Sequence, residues 1–358
     1  WCPHCETALA EAEIEYKDHR SPSVYFTFPV VDGKGLVPAD SAVAVWTTTP
    51  WTIPANMAIA LHPEFAYVLA ETDRGLLLMA EGLMEQVAQA VGLSMRGVRA
   101  RFRGRELEGV VARHPLFDRE SPIILAEHVT LEQGTGCVHT APGHGLEDYE
   151  VGMRYGLPVF APVDSSGRFT AEGGPYAGQK VSEANGPIIA DLERNGRLLK
   201  RADVDHQYPH CWRCRNPVIF RATEQWFASV EGFREAALAA IGRVRWIPPW
   251  GEERIANMVA QRADWCISRQ RVWGVPIPIF TCKACGHHLI DEETIAAVAD
   301  LFRREGSDAW FQRAASEILP PGKACPQCGG TDFDKEKDIM DVWFDSGSSH
   351  AAVLTERP

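Results

Sequence analysis

Eight of the ten cysteines fall into four Cys-x-x-Cys pairs: Cys2/Cys5, Cys211/Cys214, Cys282/Cys285 and Cys325/Cys328. Two thiolates on a knuckle make half of a tetrahedral metal site, and four sulfurs at about 2.3 Å complete one. Cys282/Cys285 and Cys325/Cys328 stand close enough in sequence for a single ribbon-like insertion. Cys2/Cys5 and Cys211/Cys214 lie a whole domain's length apart, which suits a metal clamping the neck of an inserted domain. Free thiols remain an alternative use of these pairs. Disulfides suit a small secreted chain better than a large one with knuckles such as "CPHC" and "CPQCGG". Two structural zinc sites in a reducing compartment are therefore expected.

A second cluster of chemistry is hydroxylic. "WTTTPWTIPAN" places Thr47, Thr48, Thr49 and Thr52 directly after the apolar run "AVAV". A buried strand rarely ends in a block of hydroxyls unless they hold something. Further on, "GTGCVHTAPGHGLEDYEVG" delivers His139 at the end of a strand. Gly143 and Gly145 then form a turn, and Asp148 falls in the first turn of a helix. Glycine lets backbone amides approach a ligand closely. Taken alone, Asp148 is equally well read as a helix-terminal carboxylate, and His139 or His144 as a buried polar residue.

The elements that position these residues follow from periodicity. Val24, Phe26, Phe28 and Val30 alternate, so "SVYFTFPV" is a strand with one buried face. "SAVAVWTTT" is a buried strand meeting a loop. "FAYVLAETDRGLLLMA" is a hairpin turning near Asp73 to Gly75. "EGLMEQVAQAVG" sets Leu83, Met84, Val87, Ala90 and Val91 on one helical face and stops at Gly92. Arg99, Arg101, Arg103 and Arg105 alternate on one strand face, either toward solvent or toward an RNA end. "PIILAEHV" and "GCVHTAP" are further strands, and "GLEDYEVGMRYG" and "SEANGPIIADLERNGRLLK" are helices. Residues 21–200 are thus strand-rich with short helices, which predicts a closed or nearly closed sheet. Beyond Arg201, tryptophan and arginine become frequent, and Arg269 and Arg271 are candidates for phosphate or core contacts. "DIMDVWFDSGSSH" reads as a short buried strand.

The net charge of −12 excludes wholesale binding of polyanions but leaves room for a local basic strip. No apolar run approaches the ~20 residues needed to cross a bilayer, so no membrane role is expected. The chain opens and closes within motifs, which suggests an internal piece of a longer protein.

In order along the chain, "WCPHCETALAEAEIEYKD", "WTTTPWTIPAN", "GTGCVHTAPGHGLEDY", "WCISRQRVWGVPIPIF" and "DIMDVWFDSGSSH" resemble segments of the isoleucyl-tRNA synthetases, class I enzymes. The resemblance covers essentially the whole chain. The valine and leucine enzymes usually carry Thr-Thr-Arg-Pro where this chain has Thr-Thr-Thr-Pro-Trp-Thr. The resemblance implies a mixed α/β protein, with a β-barrel-like editing domain inserted in a class I Rossmann-type core and zinc-ribbon elements. It implies a ribbon half at 1–20, an editing domain at 21–200 and a second ribbon half returning to the core at 201–281. A second zinc-ribbon insertion follows at 282–336, and a core strand with its following segment at 337–358.

The resemblance also implies roles. Thr47, Thr48, Thr49 and Asp148 would be the editing residues, with Asp148 accepting the substrate ammonium. Thr52 and His139 would border the side-chain pocket, and Trp343 would lie near the isoleucine pocket. This chain has Glu147 where the family usually has an aspartate before the Asp-Tyr. The full enzyme would be a monomeric cytoplasmic ligase using ATP and Mg, with isoleucine, valine and tRNA(Ile) as substrates. Neither ATP-site signature, of the His-Ile-Gly-His or Lys-Met-Ser-Lys-Ser type, occurs in these 358 residues. A free-standing trans-editing deacylase and a non-catalytic zinc-ribbon nucleic-acid-binding module are the rival readings.

Overall fold

The computed structural model describes residues 1–355. The chain forms two compact units: Trp1–Glu6 with Glu13–Thr223, and Thr7–Ala12 with Glu224–Pro358.

The first unit is organised by one long strand, β1 (Ile14–Asp32). Its second half buries Val24, Phe26, Phe28 and Val30, the alternating face expected from sequence. Each such side chain contributes about 1.5–3 kcal/mol. The strands that follow are β2 (Ser41–Thr47), β3 (Ala58–Leu61), β4 (Ala66–Thr72) and β5 (Gly75–Ala80). Helix α1 (Met84–Val91) buries Val87 and ends at left-handed Gly92 (φ 83°). Then come β6 (Met95–Arg103), β7 (Val111–Arg113), β8 (Glu120–Leu125), β9 (Cys137–Thr140), α2 (Leu146–Arg154), α3 (Val181–Arg194) and β10 (Leu198–Cys211).

These ten strands form one mixed sheet in the order β6-β4-β5-β2-β1-β7-β8-β3-β9, with β10 also on β1. The end at β9 curls back toward β5: the Ala80 amide donates to Thr135 O (2.8 Å) and Tyr67 donates to Gly136 O (2.8 Å). Gly136 is required there. Its φ is +71°, and a Cβ would lie 2.3 Å from that of Ala80. The strand-rich sequence is thus one large mixed sheet whose ends, β6 and β9, are not paired with each other.

The first half of β1 leaves the core. It pairs antiparallel with β10 from Ile14↔Cys211 inward, forming a two-stranded stem. This strand crosses the 20/21 boundary drawn from sequence, and β10 crosses 200/201. Stem residues such as Tyr16 and Asp18 face solvent, so no apolar alternation marks them in the sequence. The register sets Cys211 opposite Ile14 and brings the two distant Cys-x-x-Cys knuckles together.

The second unit has short strands and helices: β11 (Phe227–Ala228), α4 (Glu231–Ile241), α5 (Trp250–Ala260), β12 (Trp265–Cys266), β13 (Ser268–Arg269), β14 (Phe280–Cys282) and β15 (His288–Leu289). They continue with α6 (Glu292–Glu305), α7 (Ala309–Gln312), α8 (Ala315–Ile318), β16 (Phe333–Lys335), β17 (Ile339–Met340) and α9 (Val342–Gly347). A three-stranded sheet, β15-β14-β16, packs Phe280, Leu289 and Phe333 against Leu301 and Trp310. Asp291 caps α6 through the Thr294 amide (2.8 Å).

"DIMDVWFDSGSSH" differs from the strand expected. Only Ile339 and Met340 are extended. Asp341 then accepts the Trp343 amide (3.0 Å) and starts helix α9, and its other oxygen binds Arg269 (2.7 Å). A capping aspartate outweighs the β propensity of Val342, Trp343 and Phe344. Of the 337–358 segment, the last three residues lie outside those described.

Candidate functional site: a threonine–histidine–asparagine network

The threonine block sits where β2 runs out of partners. Thr47 closes the ladder opposite Val24, and its Oγ1 accepts the Thr49 amide (3.1 Å). Pro50 opens a 3-10 turn, Pro50–Ala55, in which Thr52 Oγ1 donates to Thr49 O (2.8 Å). Asn185 on α3 anchors that turn by accepting the Trp51 amide (3.0 Å). The side-chain hydroxyls of Thr48 and Thr49 have no hydrogen-bond partner among the described residues.

His139 meets this turn because β3 pairs with β9, setting Ile59 opposite His139. Its Nε2 lies 2.9 Å from Thr52 Oγ1 and its Nδ1 lies 2.8 Å from Asn56 Nδ2. Asn56 is fully buried, and its amide orientation is fixed by its neighbours. Nδ2 donates to Ala58 O (2.7 Å), while Oδ1 accepts from Ser121 Oγ (2.6 Å). Asn56 therefore presents N–H to His139 Nδ1, which must be an acceptor, and the imidazole proton sits on Nε2 facing Thr52. Burial pushes His139 down to about 3, with His144 adding like-charge repulsion, so the ring is neutral at physiological pH.

Two residues beyond β9, the Ala141 amide donates to Asp148 Oδ2 (2.8 Å). Asp148 thus closes the glycine turn onto the end of β9, while its Oδ1 has no partner among the described residues. Burial raises its pKa, opposed chiefly by the Ala141 amide. His144, inside that turn, donates from Nδ1 to Phe220 O (2.9 Å) and meets the Trp51 ring edge-on (centroids 4.9 Å). Burial lowers it to about 4.

Thr49, Thr52 and His139 are therefore joined directly, and Asp148 is joined to the same strand end. Trp343 belongs to the second unit, where it stands 54% exposed on α9. Sequence reasoning passed over Asn56, Ser121 and Asn185. The only signal for Asn56 was a polar residue at the end of the threonine block, directly before the apolar "MAIA". Arg269 is a core contact, 3% exposed and paired with Asp341 (1%). On β6, Arg101 pairs with Glu81 (2.8 Å), and beyond it Arg105 pairs with Glu64, so part of the arginine face is already neutralised.

The cysteines assemble as two groups, Cys2/Cys5/Cys211/Cys214 and Cys282/Cys285/Cys325/Cys328, with the sulfurs of each within 4.8 Å of one another. Cys2 and Cys214 sulfurs are 3.5 Å apart, and the Cys282–Cys328 and Cys285–Cys325 pairs are 3.6 Å apart. A tetrahedron with ~2.3 Å metal–sulfur bonds has edges of about 3.8 Å, and a disulfide would be near 2 Å. The spacing fits four thiolates around one ion. Against the cost of burial, the Asn216 amide lowers Cys214 to about 6. Both groups could hold a metal ion.

A model of tRNA synthetases class I (I, L, M and V) matches residues 1–357. The chain belongs to the class I tRNA synthetases. The isoleucine–tRNA ligase of Moorella thermoacetica is 63% identical over 100% of this chain and 39% of its own length. That of Carboxydothermus hydrogenoformans is 63% identical over 99% of this chain and 38% of its own length. The isoleucyl resemblance read from the motifs is borne out, and the chain spans under two-fifths of the length of these relatives. A solved structure described as "The crystal structure of GlLeuRS-CP1" aligns with 51% of this chain and 98% of its own. Its TM-score is 0.40 at 14% identity, a likeness too weak to carry weight. No described helix is long and apolar enough to cross a membrane.

Proposed function

We propose that this chain is the proofreading segment of an isoleucine–tRNA ligase and that it hydrolyses valine from mischarged tRNA(Ile). The observation that carries the reading is the network around His139. In a chain that matches isoleucine ligases throughout, two uncommitted threonine hydroxyls and a half-free carboxylate adjoin a rigid, neutral histidine.

The need for such a site is physical. Valine lacks one methylene, and a pocket discriminates on that group by only ~1–3 kcal/mol, a limit for which isoleucine against valine is the standard illustration. A second, smaller site that admits valine must remove the error. Thr47, Thr48 and Thr49 would hold the terminal adenosine and the ester. Thr52 and His139 would wall the side-chain pocket. Asp148, with one oxygen fixed by Ala141, would accept the substrate ammonium through the other, a charge-assisted contact that sets orientation.

His139 does not act as a general base in this reading. Its Nδ1 lone pair is taken by Asn56 and its Nε2 proton faces Thr52. Hydrolysis of an activated ester then rests on a positioned water and fixed dipoles.

The remaining lines of the reading follow the family. Zinc would occupy both four-cysteine groups as a structural ion, holding the stem knuckles and the β14–β16 sheet. The second unit would be the return into a Rossmann-type nucleotide-binding core, with Trp343 near the isoleucine pocket. ATP, Mg and aminoacylation would belong to the whole protein, acting in the cytoplasm as a monomer.

Deacylation of Val-tRNA(Ile) by the purified chain tests the reading. Turnover is expected with the wild type and is lost in Asp148→Ala at unchanged circular dichroism. A folded wild-type chain that leaves the ester intact overturns it in favour of a non-catalytic metal-binding module.

A further inference from the structure

A cleft of about 310 Å³ lies at the opposite end of β2 from the threonine block, lined among others by Thr27, Asp40, Ser41, Arg74 and Arg197. Three turns meet there. The segment before β2 is pinned by the Ser41 amide on Pro38 O (3.1 Å). The β4–β5 hairpin turn is held by the Arg74 amide on Thr72 Oγ1 (3.0 Å). The α3–β10 turn is held by the Arg197 amide on Leu192 O (2.8 Å) and by the Thr27 amide on Arg197 O (3.0 Å). The backbones that carry both guanidinium groups are therefore fixed.

Two features of this cleft lack an internal explanation. Neither the Arg74 nor the Arg197 guanidinium has an ion-pair or hydrogen-bond partner among the described residues. Ser41 is 2% exposed, and its buried hydroxyl also has no partner. A buried hydroxyl without a partner is disfavoured, and two guanidinium groups that no protein carboxylate engages are open to an anion. An oxyanion bound in the cleft would supply these groups with a partner. Leu76, Leu77 and Leu198 give the same cleft an apolar wall, and its volume lies at the lower end of the range for small-molecule sites.

We propose that this cleft binds a phosphate group carried on a nucleotide. Arg74 and Arg197 grip the oxyanion, Ser41 donates a hydroxyl, and the leucine wall takes the apolar face of the nucleoside. Asp40 at the rim disfavours more highly charged ligands. The site does not depend on the proofreading reading, since it shares no residue with the His139 network. The phosphate could arrive on a free nucleotide or within an RNA strand, and the test separates the two.

The full chain is titrated with inorganic phosphate, AMP and a short single-stranded RNA, following heat or backbone amide shifts around Ser41 and Arg197. AMP binding that weakens about 10-fold in Arg74→Ala and again in Arg197→Gln, and is unchanged in Arg304→Ala at an exposed position of α6, assigns a free-nucleotide site. Binding of RNA alone with the same arginine dependence assigns a backbone-phosphate site. Ser41→Ala, nearly isosteric and safe for folding, is expected to weaken either ligand several-fold. No binding by the wild-type chain, or binding that Arg304→Ala weakens as much as Arg74→Ala, overturns the proposal.

Discussion

Lowering the pH from 7 to 5 should destabilise the first unit by an amount set by three buried histidines. Burial drives His114 to about 3, His139 to about 3 and His144 to about 4, against an ordinary 6.5. Burial keeps each ring neutral, and at His139 the Asn56 N–H on Nδ1 adds to it, whereas the bonds of His114 to Ile53 O (2.8 Å) and of His144 to Phe220 O act the other way. The unfolded chain takes up these protons near pH 6.5, whereas the folded chain refuses them until pH 3–4. Their stability is therefore fully present above pH 6.5 and lost as pH falls below it. At pH 5 each histidine accounts for ~2 kcal/mol, or ~6 kcal/mol for the three. Asp148 works the other way. Its raised pKa lets the folded state take its proton early, which trims the loss. The histidine total alone is a large share of the ~5–15 kcal/mol available to an ordinary domain. Urea unfolding at both pH values, with chelator in each so that loss of metal does not contribute, measures it. Imidazole proton resonances followed between pH 8 and 4.5 identify the groups. His114, His139 and His144 titrating near 6.5, or an unchanged urea midpoint, would refute the reasoning.

Asn56→Ala leaves the Ser121 hydroxyl, His139 Nδ1 and the Ala58 carbonyl without their partner, and should cost ~2–4 kcal/mol by urea unfolding. It should also lower the rate of Val-tRNA(Ile) deacylation more than it raises KM. Chelation should speed amide exchange in the stem, at Ile14–Arg20 and at 205–211, while Val43–Val45 in the buried sheet keep their protection. Uniform exchange with and without chelator would remove the metal from the stem. The kcat/KM of deacylation should show no ionisation between pH 6 and 8, because His139 does not titrate there.

What the sequence disclosed divides along burial. The alternation of Val24, Phe26, Phe28 and Val30 is visible because one face of β1 is buried in the sheet, and the Asp73–Gly75 turn and the Gly92 stop carry local signals of their own. The stem half of β1 carries none. Glu15, Lys17 and Asp18 pair with a strand as polar as themselves, so its register rests on backbone bonds and on the knuckle that ends it. Asp341 shows the converse error. Val342, Trp343 and Phe344 look like strand, but one carboxylate that caps a helix and neutralises buried Arg269 decides the local structure, and its partner is 72 positions away. At the site, Thr52, His139 and Asp148 were legible as unusual residue types in unusual places. Asn56 and Ser121 were not, because an asparagine just after a proline-bearing turn reads as an ordinary loop residue until β3, β8 and β9 bring its partners around it.

Those two residues change what the site can do. A histidine at a strand end, facing hydroxyls, invites a role as a base that activates water. Asn56 removes that option by occupying the Nδ1 lone pair, and it can do so only because Ser121 and two backbone carbonyls fix its amide orientation. With the proton thereby placed on Nε2, Thr52 receives that hydrogen and turns its own toward Thr49 O. The chain of donors runs in one direction, from Asn56 to the Thr49 carbonyl, and no link in it can reverse without stranding a buried group at a cost of about 1–3 kcal/mol. Such a network makes a rigid wall of fixed polarity. Under the proposed proofreading function, selection at this wall would rest on shape and on the uncommitted oxygens of Thr48, Thr49 and Asp148, the groups at which a substrate of the wrong size would be held or turned away.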